Sequence, residues 1–231
     1  MSQVMPDQWL AAQRGEGRNV CLVLDAQNEI EARTALLRER AYNRYSSVHS
    51  QTPVAELAAA GPFLIELDSA DSEHLTELLH APERNWGWLA SIAQGDLPAW
   101  LAHWRARCLV GTSPNRALYR FQDNRVLARA LQYLPIDSLA AYLGAAISVC
   151  YWQGEHWAIT DNPMPGEYPL PQAPTWLSVP STSAQLTAIR ETNALRFLLD
   201  QHQQAYLKVA QQQHVLEWIP KPLLPTATKL S

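Results

Sequence analysis

The sequence has few charged residues and few cysteines. Charged side chains make up 17% of the 231 residues, whereas about 25% is usual for a globular domain. The formal net charge is −4, so the chain lacks the basic excess of proteins that bind nucleic acids or anionic membranes non-specifically. The three cysteines, Cys21, Cys108 and Cys150, lie far apart and do not form a disulfide framework. We expect them to be buried in a reducing compartment.

Sequence motifs for catalysis and metal binding are also missing. The seven histidines form no HxxxH or HExxH pair, and there is no CxxC, so we predict neither a metal site nor a cofactor. No GxSxG, GxGxxG or GxxxxGK[ST] motif occurs, so we predict no catalytic residues. The N-terminus does not resemble a signal peptide. The uncharged stretch 138–154 is slightly short for a membrane span and contains Gly144. We therefore expect a cytoplasmic protein without membrane insertion.

Short strands and short helices alternate through the first 160 residues. Apolar runs predict strands at residues 20–25, 63–67, 86–92, 107–110, 117–121, 147–152 and 156–160. Helical spacing and capping residues predict helices at residues 28–41, 53–60, 72–81, 97–104, 123–134 and 137–143. Asn28 with Glu31 resembles a capping box, and Asp123 is placed to cap the helix that follows it. The pattern predicts an α/β or α+β fold with a mixed sheet covered by helices.

The composition changes after residue 160. Six prolines fall between Asp161 and Pro180, and they predict a semi-rigid, extended connector. Residues 183–213 then contain no glycine or proline, which favours one long helix or a helical pair. We therefore divide the chain into an α/β lobe, a connector and a small all-helical lobe with an extended tail, at residues 1–160, 161–181 and 182–231.

The densest group of charged residues lies between residues 105 and 125. It comprises Arg105, Arg107, Arg116, Arg120, Asp123 and Arg125. Arginines near strand ends can hold a phosphate or a carboxylate. Alternatively, Asp123 caps its helix and pairs with a neighbouring arginine, which fixes the turn before the helix. We favour this structural interpretation and keep partner binding as the second.

The nine tryptophans and sixteen prolines are many for a chain of this length. The tryptophans at 86, 88, 100 and 104 lie in apolar runs and are expected in the core. The connector and the helical lobe offer less core, and residues 183–213 carry more apolar side chains than one buried stripe needs. Aromatic residues there are our candidates for a partner interface. They are Trp176, Phe197, Tyr206 and Trp218.

Four segments, 55–67, 86–92, 97–110 and 118–131, together resemble one bacterial family. The first contains Gly61, Pro62 and Phe63, and the second contains Trp86 and Gly87. The last carries an Arg-Phe-x-Asp-x-Arg-Val-Leu motif with Arg120, Phe121, Asp123 and Arg125. In this order and spacing, the segments resemble the type VI secretion adaptor or effector-chaperone proteins, over about residues 20–160.

The resemblance implies a non-catalytic adaptor. Such proteins bind a particular toxic effector in the cytoplasm and help to load it onto the spike protein of the secretion apparatus. Two alternatives remain: an enzyme or ligand-binding domain that recognises a phosphorylated or acidic small molecule through Arg120 and Arg125, and a general protein-interaction module. Because the family-like motifs all lie in the α/β lobe, we expect cargo recognition to reside largely in the helical lobe.

Overall fold

The computed structural model describes residues 5–38, 40–111 and 116–180. In these residues the chain forms six α-helices and eight β-strands. The helices are α1 (Pro6–Gly15), α2 (Ile30–Leu37), α3 (Ser72–His80), α4 (Leu97–Arg107), α5 (Asn124–Tyr133) and α6 (Ile136–Leu143). The strands are β1 (Asn19–Asp25), β2 (Tyr45–Ser47), β3 (Pro62–Glu66), β4 (Gly87–Ile92), β5 (Leu109–Val110), β6 (Ala117–Leu118), β7 (Ala146–Trp152) and β8 (Trp157–Asp161).

Six of the strands form one sheet in the order β2-β3-β1-β4-β7-β8. All five neighbouring pairs in this sheet are antiparallel, and β5 and β6 form a separate antiparallel pair. The predicted α/β or α+β class with covering helices is confirmed, in its α+β form. The expectation of a mixed sheet is wrong in one respect, because the described strands include no parallel pair. Periodicity indicates which strands are buried but does not encode their direction.

Helices cover both faces of the sheet. Alternate residues of β1 point to opposite faces, so that Cys21 and Val23 join one apolar cluster while Leu22 and Leu24 join the other. The first cluster is covered by α4, α5 and α6 and contains most of the buried aromatic rings. The second is covered by α1, α2 and α3. This burial on both faces explains why β1 is a continuous apolar run.

Three local expectations differ from the structure. The predicted helix 53–60 is limited to a 3-10 turn at Ala55–Leu57. The helix α2 begins without a side-chain cap, because Glu29 and not Asn28 lies at its N-cap position; the Asn28 amide donates to the Asp25 carboxylate. The helix α1 was not predicted; it buries Trp9, whose indole N–H donates to Ser148 Oγ at 3.0 Å.

The proline-rich stretch from Asn162 to Val179 packs against the sheet and its helices, and we call it the strap. The Asn162 amide donates to the carbonyl oxygens of Gly144 and Ala146, and the Gly166 N–H donates to the Gly144 carbonyl. The chain divides into two compact units, 1–179 and 180–231. The predicted helical lobe, with Phe197, Tyr206 and Trp218, lies outside the described residues.

Candidate functional site

The Arg-Phe-x-Asp-x-Arg segment is anchored by Phe121. This ring is fully buried and stacks on Trp104 with ring centroids 4.2 Å apart and nearly parallel planes. The indole N–H of Trp88 donates to the Phe121 carbonyl at 2.9 Å. Strand β4, helix α4 and the motif therefore meet at one point in the core, which fixes the position at which α5 begins.

Both residues of the Trp-Gly pair at the start of β4 have structural roles. Trp86 is buried and donates its indole N–H to the Leu78 carbonyl. Gly87 adopts a φ of +141°, and a Cβ atom placed there would overlap the carbonyl oxygen of Val23 on β1. Only glycine allows the two strands to approach this closely. The pair is therefore part of the scaffold.

The Gly-Pro-aromatic motif at the start of β3 is also packed tightly. A Cβ atom at Gly61 would overlap the imidazole of His49, and Pro62 is buried. Phe63 is half-buried, and the guanidinium of Arg33 lies 5.8 Å from its ring centroid. This motif therefore closes the loop between β2 and β3 and exposes only part of one ring.

Six charged side chains gather near the end of β1 and the beginning of α5, and we call them the Arg–carboxylate cluster. They are Asp25, Glu29, Arg84, Arg120, Asp123 and Arg125. Asp123 Oδ1 accepts from the Arg125 backbone N–H and from its Nε, both at 2.9 Å, and Oδ2 accepts from Nη2 at 2.7 Å. Arg120 Nη2 lies 3.3 Å from Asp25 Oδ2 and 3.9 Å from Asp123 Oδ2. The prediction that Asp123 caps α5 and pairs with a neighbouring arginine is confirmed.

In the Arg–carboxylate cluster the anions lie inside and the cations outside. The side chains of Asp25, Glu29 and Asp123 are at most 6% exposed, whereas those of the three arginines are 47% to 62% exposed. Burial raises the pKa of Asp25, and the Coulomb attraction of Arg120 opposes this shift. The hydrogen bonds to Asp123 raise the pKa of Arg125. Two of the exposed guanidiniums, those of Arg120 and Arg125, belong to the family-like motif.

The cluster offers unused hydrogen-bond donors at the surface. Arg120 uses only Nη2, and Arg125 uses Nε and Nη2, so further N–H groups of both arginines remain free of described partners. Because each guanidinium already faces a carboxylate, the pair does not form the open, uncompensated clamp expected for a phosphate. The arrangement suits contact with polar groups of another protein at an exposed rim.

The other arginines of the 105–125 segment lie elsewhere. Arg105 donates to Gln51 Oε1 and to Ser50 Oγ, and Arg116 is exposed. Arg107 is only 1% exposed and donates to the carbonyl oxygens of Ala141 and Tyr168 at 3.1 and 3.0 Å, so that it holds the strap. Burial lowers its pKa to about 10. The sequence cluster is therefore not one cluster in space.

Trp176 also belongs to the scaffold. Its ring is 2% exposed and lies 5.5 Å from the centroid of Tyr142 and 5.5 Å from the guanidinium carbon of Arg107. The expectation that Trp176 contacts a partner is corrected, because no ring face remains exposed. The connector was expected to bury little, but the strap folds back and covers this indole.

One family of proteins matches the part of the chain that carries these motifs. Residues 20–141, more than half of the chain, match the family described as "Domain of unknown function (DUF4123)". The chain belongs to this family. No curated protein and no solved structure matches it. The DUF4123 match begins within β1 and ends within α6, and it contains the whole Arg–carboxylate cluster.

The described residues of this DUF4123 chain include neither a candidate metal site nor a membrane-spanning helix. Within them, no group of three or more His, Cys, Asp or Glu side chains could hold a metal ion. No helix of that part is long and apolar enough to cross a membrane. All three cysteines are buried there as free thiols, and burial raises the pKa of Cys150 to about 12.

Sequence reasoning missed three members of the Arg–carboxylate cluster: Asp25, Glu29 and Arg84. For Asp25 there was a signal, because it is the acidic residue that ends an otherwise apolar strand. Glu29 and Arg84 form an ion pair across 55 positions of sequence, and no local pattern links them.

Proposed function

We propose that this protein is a cytoplasmic, non-catalytic adaptor that binds one type VI secretion effector and promotes its loading onto the spike protein. The observation that carries the proposal is the family-like Arg-Phe-x-Asp-x-Arg motif, which lies within the DUF4123 match. The motif buries Phe121 and Asp123 but presents Arg120 and Arg125 at the surface.

The electrostatics of the cluster support recognition of a protein surface. Each exposed guanidinium is held in place by a buried carboxylate, so binding a partner does not require ordering a long, free side chain. Arginine is enriched among the residues that dominate interface energetics. A rigid scaffold with oriented arginines at its rim therefore fits an adaptor that must recognise one partner.

The experiment is a secretion assay in the native bacterium. Deletion of the gene should abolish secretion of one effector and leave assembly of the apparatus intact. Complementation with the double variant Arg120→Gln/Arg125→Gln should restore secretion poorly, because both guanidiniums at the proposed rim are removed. The matched control is Arg14→Gln/Arg18→Gln, which removes one exposed and one half-buried arginine of the same unit, both outside the Arg–carboxylate cluster, and should restore secretion fully. Equal loss of every effector after deletion would contradict the proposal.

A further inference from the structure

The two edges of the six-stranded sheet are built differently. At one edge, β2 has only three residues, and its outward Ser47 carbonyl accepts from Ser50 Oγ at 2.6 Å and from Arg105 Nη2 at 3.5 Å. At the other edge, β8 has five residues and pairs with β7 alone among the described strands. A long uncovered edge strand is a template for pairing with another strand.

The hydrogen bonds at the two ends of the β7–β8 hairpin show which groups of β8 face outward. The Gln153 N–H donates to the His156 carbonyl at one end, and the Asn162 N–H donates to the Ile147 carbonyl at the other. Hydrogen-bonded pairs recur at every second residue of an antiparallel ladder. Ala158 and Thr160 therefore direct their N–H and C=O groups toward β7.

The backbone groups of Trp157, Ile159 and Asp161 consequently point away from the sheet. No described residue donates to these three carbonyls or accepts from these three N–H groups. Among the five residues of β8 only the terminal Asp161 is charged, and none is proline or glycine, so the strand carries few of the usual protections of an edge strand. The central side chain, Ile159, is 36% exposed.

We propose that β8 pairs with β8 of a second copy of this chain, antiparallel around a two-fold axis at Ile159. The outward groups are symmetric about this residue, so that Ile159 pairs with its own copy and Trp157 pairs with Asp161. The two-fold axis repeats the pair of Trp157 with Asp161, which makes three pairs, and the two residues of each pair exchange two backbone hydrogen bonds. Asp161 faces an uncharged residue, and the two Asp161 positions lie about 13 Å apart along the strand direction. The segment is thus its own complement, independently of the proposed adaptor role.

Self-association of the full chain tests this inference. We expect sedimentation analysis to show a dimer that forms within the range up to about 100 µM. Ile159→Pro removes one outward N–H but no hairpin hydrogen bond, and it should weaken the dimer at least tenfold. Ile159→Lys keeps the backbone intact, places a charge opposite its own copy, and should weaken the dimer similarly even if the proline variant does not fold. The matched control Thr160→Val, on the inward-bonded position, should not change association.

Two results would overturn the inference. One is a wild-type chain that stays monomeric throughout that range, whether the edge is free or occupied by something else. The other is a dimer that persists unchanged in Ile159→Lys. In a β8-paired dimer, the amide hydrogens of residues 157, 159 and 161 should also exchange more slowly as the protein concentration rises.

Discussion

Replacement of Asp123 separates the structural role of the family-like motif from a role in binding. In Asp123→Ala, the cap of α5 disappears together with both side-chain contacts to Arg125. Loss of an N-cap costs about 1 kcal/mol. The ion pair contributes less than about 1 kcal/mol, because the Arg125 side chain is 62% exposed. We therefore expect the free energy of unfolding to fall by about 1–2 kcal/mol.

Two matched variants separate the contribution of the cap to this loss of stability from that of the ion pair. Asp123→Asn keeps a capping oxygen and loses the charge, so it should cost less than about 1 kcal/mol. Arg125→Gln keeps the cap and loses only the exposed partner, so it should have a similarly small effect. Thermal unfolding measures both, because 1 kcal/mol corresponds to about 2–4 °C in a unit of this size.

The assay combines thermal unfolding with partner binding at 25 °C. Asp123→Ala should lower the unfolding temperature by about 3–7 °C and leave most molecules folded at 25 °C, so a fall in partner affinity at that temperature reports the release of the Arg125 guanidinium and not unfolding. If Asp123→Asn destabilises the protein as much as Asp123→Ala, the capping argument fails. An unchanged unfolding temperature together with lost binding would place Asp123 itself in the interface.

Further predictions concern the scaffold and its pH response. Gly87→Ala should prevent stable folding, because its Cβ atom would overlap the Val23 carbonyl oxygen; circular dichroism would test this. Trp176→Ala should lower the free energy of unfolding by about 3–5 kcal/mol, because the ring is buried; an unchanged stability in denaturant would refute the packing of the strap. Burial, and then the charge of Arg107, lower the pKa of His103 from 6.5 to about 4. Because the folded state disfavours the protonated imidazole, stability is fully present above pH 6.5 and should fall by about 3 kcal/mol as the pH approaches 4. His103→Gln should lack this component in denaturant titrations at several pH values.

Much of the fold could be predicted from the sequence, because local patterns encode it. The strand β1 is apolar and is buried on both faces, and Asp123 has the residue type and position of an N-cap. The helix α1 was missed because it carries only a few apolar residues. Strand order and direction depend on contacts between distant segments, which periodicity does not encode.

Only the part of the candidate site that depends on local contacts could be predicted from the sequence. Arg120, Asp123 and Arg125 are neighbours in sequence, and their contacts are local. Asp25 reaches Arg120 across 95 positions, so only the folded chain brings them together. The burial of Trp176 was not predicted, because a proline-rich composition indicates an extended backbone but not the surface on which that backbone packs.

Quantitative co-purification from the native bacterium tests the adaptor role most directly. The full chain would carry an affinity tag at its chromosomal locus, and the recovered proteins would be compared with those from an untagged strain. We expect strong enrichment of one type VI effector together with the spike protein, and loss of at least one of them in Arg120→Gln/Arg125→Gln but not in Arg14→Gln/Arg18→Gln. Recovery of a folded chain with neither an effector nor the spike protein would contradict it.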